Sequence, residues 1–412
     1  MKLGNVKLAG LAIAATLVFG VAPSARAQSA DALLDLLIKK GVINQREAND
    51  VREQLDQQTA QTIEANSKLK LSSWVNSLQF YGDGRLRYEW RSGQGTASGS
   101  GKLDNADEDR FRYRLRFGVK GELTDKFTYG LRLETATKAN SANVTMGGNA
   151  LSGGPFAKSG NNAIEVGQFW AQYRANDYLT LIGGKMENPF MTTSLVWDGD
   201  ISPEGAAEKL AYKTDKVDWF LTLGEFTYLN TKLQNTFGGS GSANEVWLLG
   251  AQAGGKLKIN KDVSLTLAPT VYTYINAYSS QVGGGFAPAM TTNANNIVGL
   301  NNLNVFELPV EFAFPVGRYP GKMFGEFCVN LTGEQRAKTA GYLHNTDDVY
   351  AYQVGASLGQ AKKKGDWLVK AWWQHTELFA LDPNLVDSDL FDGRLNMQGE
   401  VVSGTYQITD FW

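Results

Sequence analysis

Four arginines, at positions 110, 112, 114 and 116, alternate with Phe111, Tyr113, Leu115 and Phe117. Successive side chains of a strand point to opposite faces, so this spacing puts Arg110, Arg112, Arg114 and Arg116 on one face and rings and leucine on the other. Arg85 and Arg87 precede this run, and Arg132 and Glu134 follow it after a Thr124-Asp125 turn. A charged face backed by an apolar face suits a wall with lipid outside and water inside. A half-exposed sheet of a soluble protein is the plainer alternative. The opposing charges are in the stretch 188–205. There Asp198, Asp200 and Glu204 sit among Phe190, Leu195, Val196, Trp197 and Ile201. A loop in free solvent has no use for those apolar residues, whereas a loop folded into a lumen would use them as anchors. Acids on one side of a narrow water column and bases on the other sort solutes by size and charge. In a competing arrangement the arginines pair with Asp83, Glu89 and Glu134 and pack a narrow barrel.

Little else in the chain is equipped for chemistry. Cys328 is the one cysteine, which rules out a disulfide within the chain. His344 and His375 are the only histidines and neither has a recognisable partner motif, so no catalytic, metal or cofactor site is expected. A net charge of -2 gives no reason to expect nucleic acid. The 45 glycines and 11% aromatics fit turns and aromatic-rich strands better than helices.

Several elements must position the charged groups. Residues 1–27 read as a secretory signal peptide, with Lys2 and Lys7, an apolar core from Leu8 to Val21, and Ala25-Arg26-Ala27 at the cleavage site. Residues 28–72 read as a helical or coiled-coil segment in the periplasm, with Leu33, Leu34, Leu37 and Ile38 at helical spacing and a capping box from Asn44 to Glu47. Residues 73–412 read as a transmembrane β-barrel. Short turns at Asn176-Asp177, Asp215-Lys216 and Asn260-Lys261 alternate with long Gly/Ser/Asn-rich loops, the asymmetry of an outer-membrane barrel. Strands near 306–314, 323–334, 367–374 and 395–401 repeat the two-residue period, the last with Leu395, Met397 and Val401 on the apolar face and Asn396, Gln398 and Glu400 on the polar one. Trp90, Trp170, Tyr178, Trp219, Trp247 and Trp367 suit interfacial girdles. Pro309, mid-strand, is expected at a bulge. The predicted fold class is an all-β antiparallel transmembrane barrel of about 16 strands when complete, with this chain ending just into strand 15, because bacterial barrels close on even numbers.

The stretches Gly84-Arg-Leu-Arg-Tyr-Glu89, Arg110 to Phe117, and Asn188-Pro-Phe190 through Val196-Trp-Asp198 to Ile201-Ser-Pro-Glu-Gly205 resemble the putative porins of Gram-negative outer membranes, as does the leading segment from Ala32. The resemblance implies passive diffusion of small hydrophilic solutes and no enzymatic activity. The partners it implies are outer-membrane lipid and lipopolysaccharide, with a homotrimer by analogy. The rival readings are a structural or adhesive barrel that tethers the envelope, and an outer-membrane hydrolase.

Overall fold

The alternation read from the sequence becomes a single antiparallel meander in the computed structural model. It describes residues 75–96, 103–135, 141–147, 164–230, 245–275, 302–389 and 393–409, with Ala15, Thr16, Lys40 and Val51. The expected signal peptide and periplasmic helical segment lie almost wholly outside the described residues. No helix among the described residues is long and apolar enough to cross a membrane.

Fourteen wall strands follow in order among the described residues: β1 Ser77–Thr96, β2 Leu103–Thr124, β3 Phe127–Thr135, β4 Ile164–Arg174, β5 Leu179–Lys185, β6 Glu204–Lys213, β7 Val217–Asn230 and β8 Glu245–Lys258, then β9 in two pieces, Ser264–Leu267 and Thr270–Ile275, β10 Asn304–Val316, β11 Tyr319–Asn330, β12 Tyr350–Gly359, β13 Trp367–Thr376 and β14 Met397–Tyr406. Each strand pairs antiparallel with the next. The wall curls until the loop before β14 reaches β1, where Arg87 Nη1 lies 2.9 Å from Asp389 Oδ2. One short helix, α1 Gly333–Thr339, caps the β11–β12 connection.

The two faces of the wall divide as the alternation requires. Phe111, Leu115 and Phe117 are 59%, 46% and 51% exposed, whereas Arg112 between them is 8% exposed. Phe80, Phe169, Met323, Val354 and Val369 continue the exposed apolar face. This is inverted for a water-soluble protein and ordinary for a wall against hydrocarbon.

Three expectations change. Trp170 is not part of a girdle: it packs inward against Gly130, where any Cβ would collide with its ring. In β14, Met397 and Val401 pair with the inward Thr376 and Trp372, so Gln398 and Glu400 face out. Pro309 keeps its register with Glu326, and the irregularity falls in the neighbouring strand. Proline has no N–H to offer, and β9 breaks opposite it at Ala268-Pro269.

Candidate functional site

The inner side of the wall is not an empty bore. The connection after β5 turns inward at Met186, and its Phe190, Leu195, Val196 and Trp197 bury against Phe226, Leu248, Tyr272 and Val305 on the inner faces of β7 to β10. Phe190 makes edge contacts with Phe226 and Tyr272, at centroid distances of 6.1 and 5.4 Å. It seats over Gly224 and Gly250, which face each other across the β7–β8 ladder. A Cβ on Gly250 would come within 2.5 Å of the Phe190 ring, so the glycine pair is the socket for this side chain. Gln252 holds the next residue from both sides, accepting from Met191 N–H and donating to Met191 O, each at 2.8 Å.

A second inward connection, between β13 and β14, joins it. Leu381, Val386 and Leu395 pack into the same apolar cluster. Asp198 ties the two loops together: its backbone N–H donates to Leu385 O at 2.6 Å, and its carboxylate accepts from Ser388 N–H at 2.9 Å and from Asp200 N–H at 2.8 Å. Burial pushes the Asp198 carboxyl above the usual carboxylate range. Burial, with Asp198 nearby, pushes Asp387 up to about 7.

These loops meet the arginines. Arg116 donates to Asp200 Oδ1 and lies 3.3 Å from Glu134, and Arg114 is 2.8 Å from Asp83 and 3.6 Å from Asp200. Arg132 reaches Glu134 at 2.9 Å. Arg110 and Arg112 both reach Glu89, at 2.6 and 3.5 Å. Arg87 bridges Glu89 at 3.1 Å and Asp389 at 2.9 Å. Arg85 donates to Asn143. Wall carboxylates neutralise part of the ladder, and loop carboxylates face the rest. Six arginines meet Asp83, Glu89, Glu134, Asp200 and Asp389, and Arg85 meets Asn143, so the seven exceed these five carboxylates by two positive charges.

Glu204 stands apart from Asp198 and Asp200. It begins β6, is 62% exposed, and pairs with Lys185 at 3.1 Å. The inward loop therefore ends at Pro203. Two contributors were not singled out in the sequence. Ser141 and Asn143 O accept from Arg112 Nη2 at 3.1 and 3.3 Å, and Ala142 N–H donates to Asp200 at 3.1 Å. The β13–β14 loop carries Phe379, Leu381, Leu385 and Val386 among Asp382, Asp387 and Asp389, the same mixture that marked 188–205. That composition was the available signal.

A single antiparallel meander with an apolar outer face, charged inner positions and long inward loops defines an outer-membrane β-barrel of the channel-forming kind. Residues 98–298 match the model of the family described as putative porin. The chain is similar in structure to Pseudomonas putida OprB, at 13% identity and a TM-score of 0.47, covering 84% of this chain and 89% of that one. It is similar also to Salmonella typhi OmpF in complex with daunomycin, at 12% identity and a TM-score of 0.40, covering 81% and 98%, and to a mutant of the Rh. blastica porin, at 12% identity and a TM-score of 0.31, covering 80% and 98%. No curated protein matches in sequence.

Proposed function

We propose that this outer-membrane porin conducts small hydrophilic solutes passively through a narrow passage. One side of the passage is the arginine wall of β1–β3, and the other is the pair of inward loops carrying Asp200 and Asp389. The observation that carries this reading is the contact of Arg114 and Arg116 with Asp200 across the interior, from wall to loop. Fixed opposite charges in a tube of low dielectric order water and small ions along a transverse field. The excess of positive charge favours anions. The outward belt contacts outer-membrane lipid and lipopolysaccharide, residues 28–72 occupy the periplasm, and copies of the chain assemble as a homotrimer.

The dry cluster between the loops and the inner wall favours one rival, a barrel whose role is structural. Planar-bilayer conductance separates the two: a steady open pore supports diffusion, and a silent barrel supports the rival. Within the channel reading, Arg112→Glu combined with Arg114→Glu takes the cluster from two excess positive charges to two excess negative ones. The reversal potential in a salt gradient should move toward cation preference. An unchanged reversal potential would remove the ladder from the solute path.

A further inference from the structure

Four buried oxygen atoms on consecutive strands of the inner wall, β9 to β12, have no hydrogen-bond partner. Glu307 on β10 is fully buried, and both of its carboxylate oxygens are among them. The Tyr272 hydroxyl on β9 faces Glu307 from a side chain 4% exposed, and it too is without a partner. Glu326 on β11, 3% exposed, is the next polar neighbour of Glu307. Gln353 on β12 is the ladder partner of Glu326, and its Oε1 is the fourth atom. The connection after β5 closes over this group. Thr193 donates to Glu326 from its N–H at 3.3 Å and from its hydroxyl, and the Thr192 hydroxyl donates to Glu326 at 3.5 Å.

Two carboxylates in so dry a place need positive charge, from a basic side chain, from protons or from a metal ion. No basic side chain among the described residues supplies it: Lys322, four residues from Glu326 on the same face, is 2.7 Å from Glu311 instead. Protons shared between the two carboxyls would neutralise them and leave the Tyr272 hydroxyl and the Gln353 oxygen with nothing to bind. A cation at the meeting point serves all of these oxygens together. Calcium holds its oxygens at about 2.3–2.6 Å, which spaces neighbouring ligands wider than a hydrogen-bonded pair. The donors are carboxylate, amide and hydroxyl oxygens, with no three acidic, His or Cys side chains gathered together among the described residues, and such a set suits a hard cation. Two carboxylates balance a divalent charge. Magnesium keeps several waters of its own, and this site has no room in contact with solvent to supply them. Nothing in chain order announces the group, because its donors come from four strands.

We propose that Glu307, Glu326, Tyr272 and Gln353 form a calcium site between the inner wall and the connection after β5, and that the ion fastens this connection beside the socket of Phe190. The Tyr272 ring packs on Phe190 and its hydroxyl reaches the site, so one side chain belongs to both attachments. The inference goes beyond the diffusion reading and does not depend on the barrel conducting. Its test uses the purified full chain in detergent, stripped with a chelator and then equilibrated slowly with calcium or magnesium, because the loop must open to admit an ion. Native mass spectrometry counts bound ions, and the thermal midpoint reads their effect. Calcium should add one ion per chain and raise the midpoint, and magnesium should do neither. Glu307→Gln keeps the shape, removes one charge, and should weaken calcium binding at least about tenfold. Should Glu307→Gln fail to fold, Tyr272→Phe keeps the ring against Phe190 and should lower calcium binding in the same assay. A chain that takes up no calcium overturns the proposal. Calcium uptake that is unchanged in both variants, as for ions held by residual lipopolysaccharide, overturns it as well. A midpoint that ignores calcium and falls as pH rises would show a carboxyl pair neutralised by protons, and the site would be refuted.

Discussion

Asp387 gives the inward loops a dependence on pH whose sign and size follow from its surroundings. It sits in the β13–β14 loop, its N–H donating to Ser194 O at 3.3 Å, and its neighbours are Asp198, Asp200 and Asp389 on the acidic side and Lys370 on the basic side. Burial comes first in raising it from an ordinary value of 3.8 to about 7. The docked loop thus holds the proton, while a loop released into water ionises near the ordinary value. Docking is unaffected below both values. It weakens progressively as pH rises from about 4, and the loss is complete above about 7. A shift of roughly three units corresponds to about 4 kcal/mol, or about a thousandfold in the docking equilibrium. The assay is the rate of limited proteolysis within 377–396, set beside current noise in single channels, from pH 4.5 to 8. Cleavage and flicker should both increase across that range. Asp387→Asn keeps the acceptor for Asp389 N–H, now 2.7 Å from Oδ1, and should flatten both profiles. A slope that persists in Asp387→Asn would refute the assignment, as would a flat wild-type profile.

Asp200→Ala removes the carboxylate shared by Arg114, Arg116 and Ala142 N–H; conductance should rise and the reversal potential should move further toward anions. Gly250→Val drives a side chain into the Phe190 ring and should lower stability to urea by about 1–3 kcal/mol through overpacking, with a larger open-channel current if the loop leaves its socket. Asp382 accepts from Tyr228 and Tyr274 hydroxyls at 2.8 and 2.7 Å and lies near Arg336, which is 2% exposed. Asp382→Ala removes the acceptor shared by the two buried tyrosine hydroxyls and should cost about 1–3 kcal/mol, read as a lower thermal midpoint, while Asp382→Asn keeps an acceptor for the tyrosines and should cost less.

How far the sequence could be read depends on the range over which each feature is decided. The arginine face is local: positions 110 to 117 alternate, a strand has a period of two, and no distant residue can change which side chains share a face. The same logic misplaces β14, because Met397 and Val401 look like a lipid face only when read alone. Their ladder partners Thr376 and Trp372 decide the side, and those partners lie more than twenty residues away. Loop placement is less local still. The stretch 188–205 reveals itself by apolar residues that solvent would not need, but its socket, Gly224 facing Gly250, is visible only once β7 and β8 are paired. The β13–β14 loop has the same mixed composition, yet its docking partner is another loop, so no wall pattern points to it. Glu204 was grouped with Asp198 and Asp200 by proximity in the chain, and strand β6 carries it out of the barrel instead. Outward carboxylates are hard to find from sequence because Glu208 reads as an ordinary inward polar residue until Leu181 and Leu223 fix its side. A departure from alternation that survives pairing is then a property of the surface, as Glu208 on β6 and Glu400 on β14 both show.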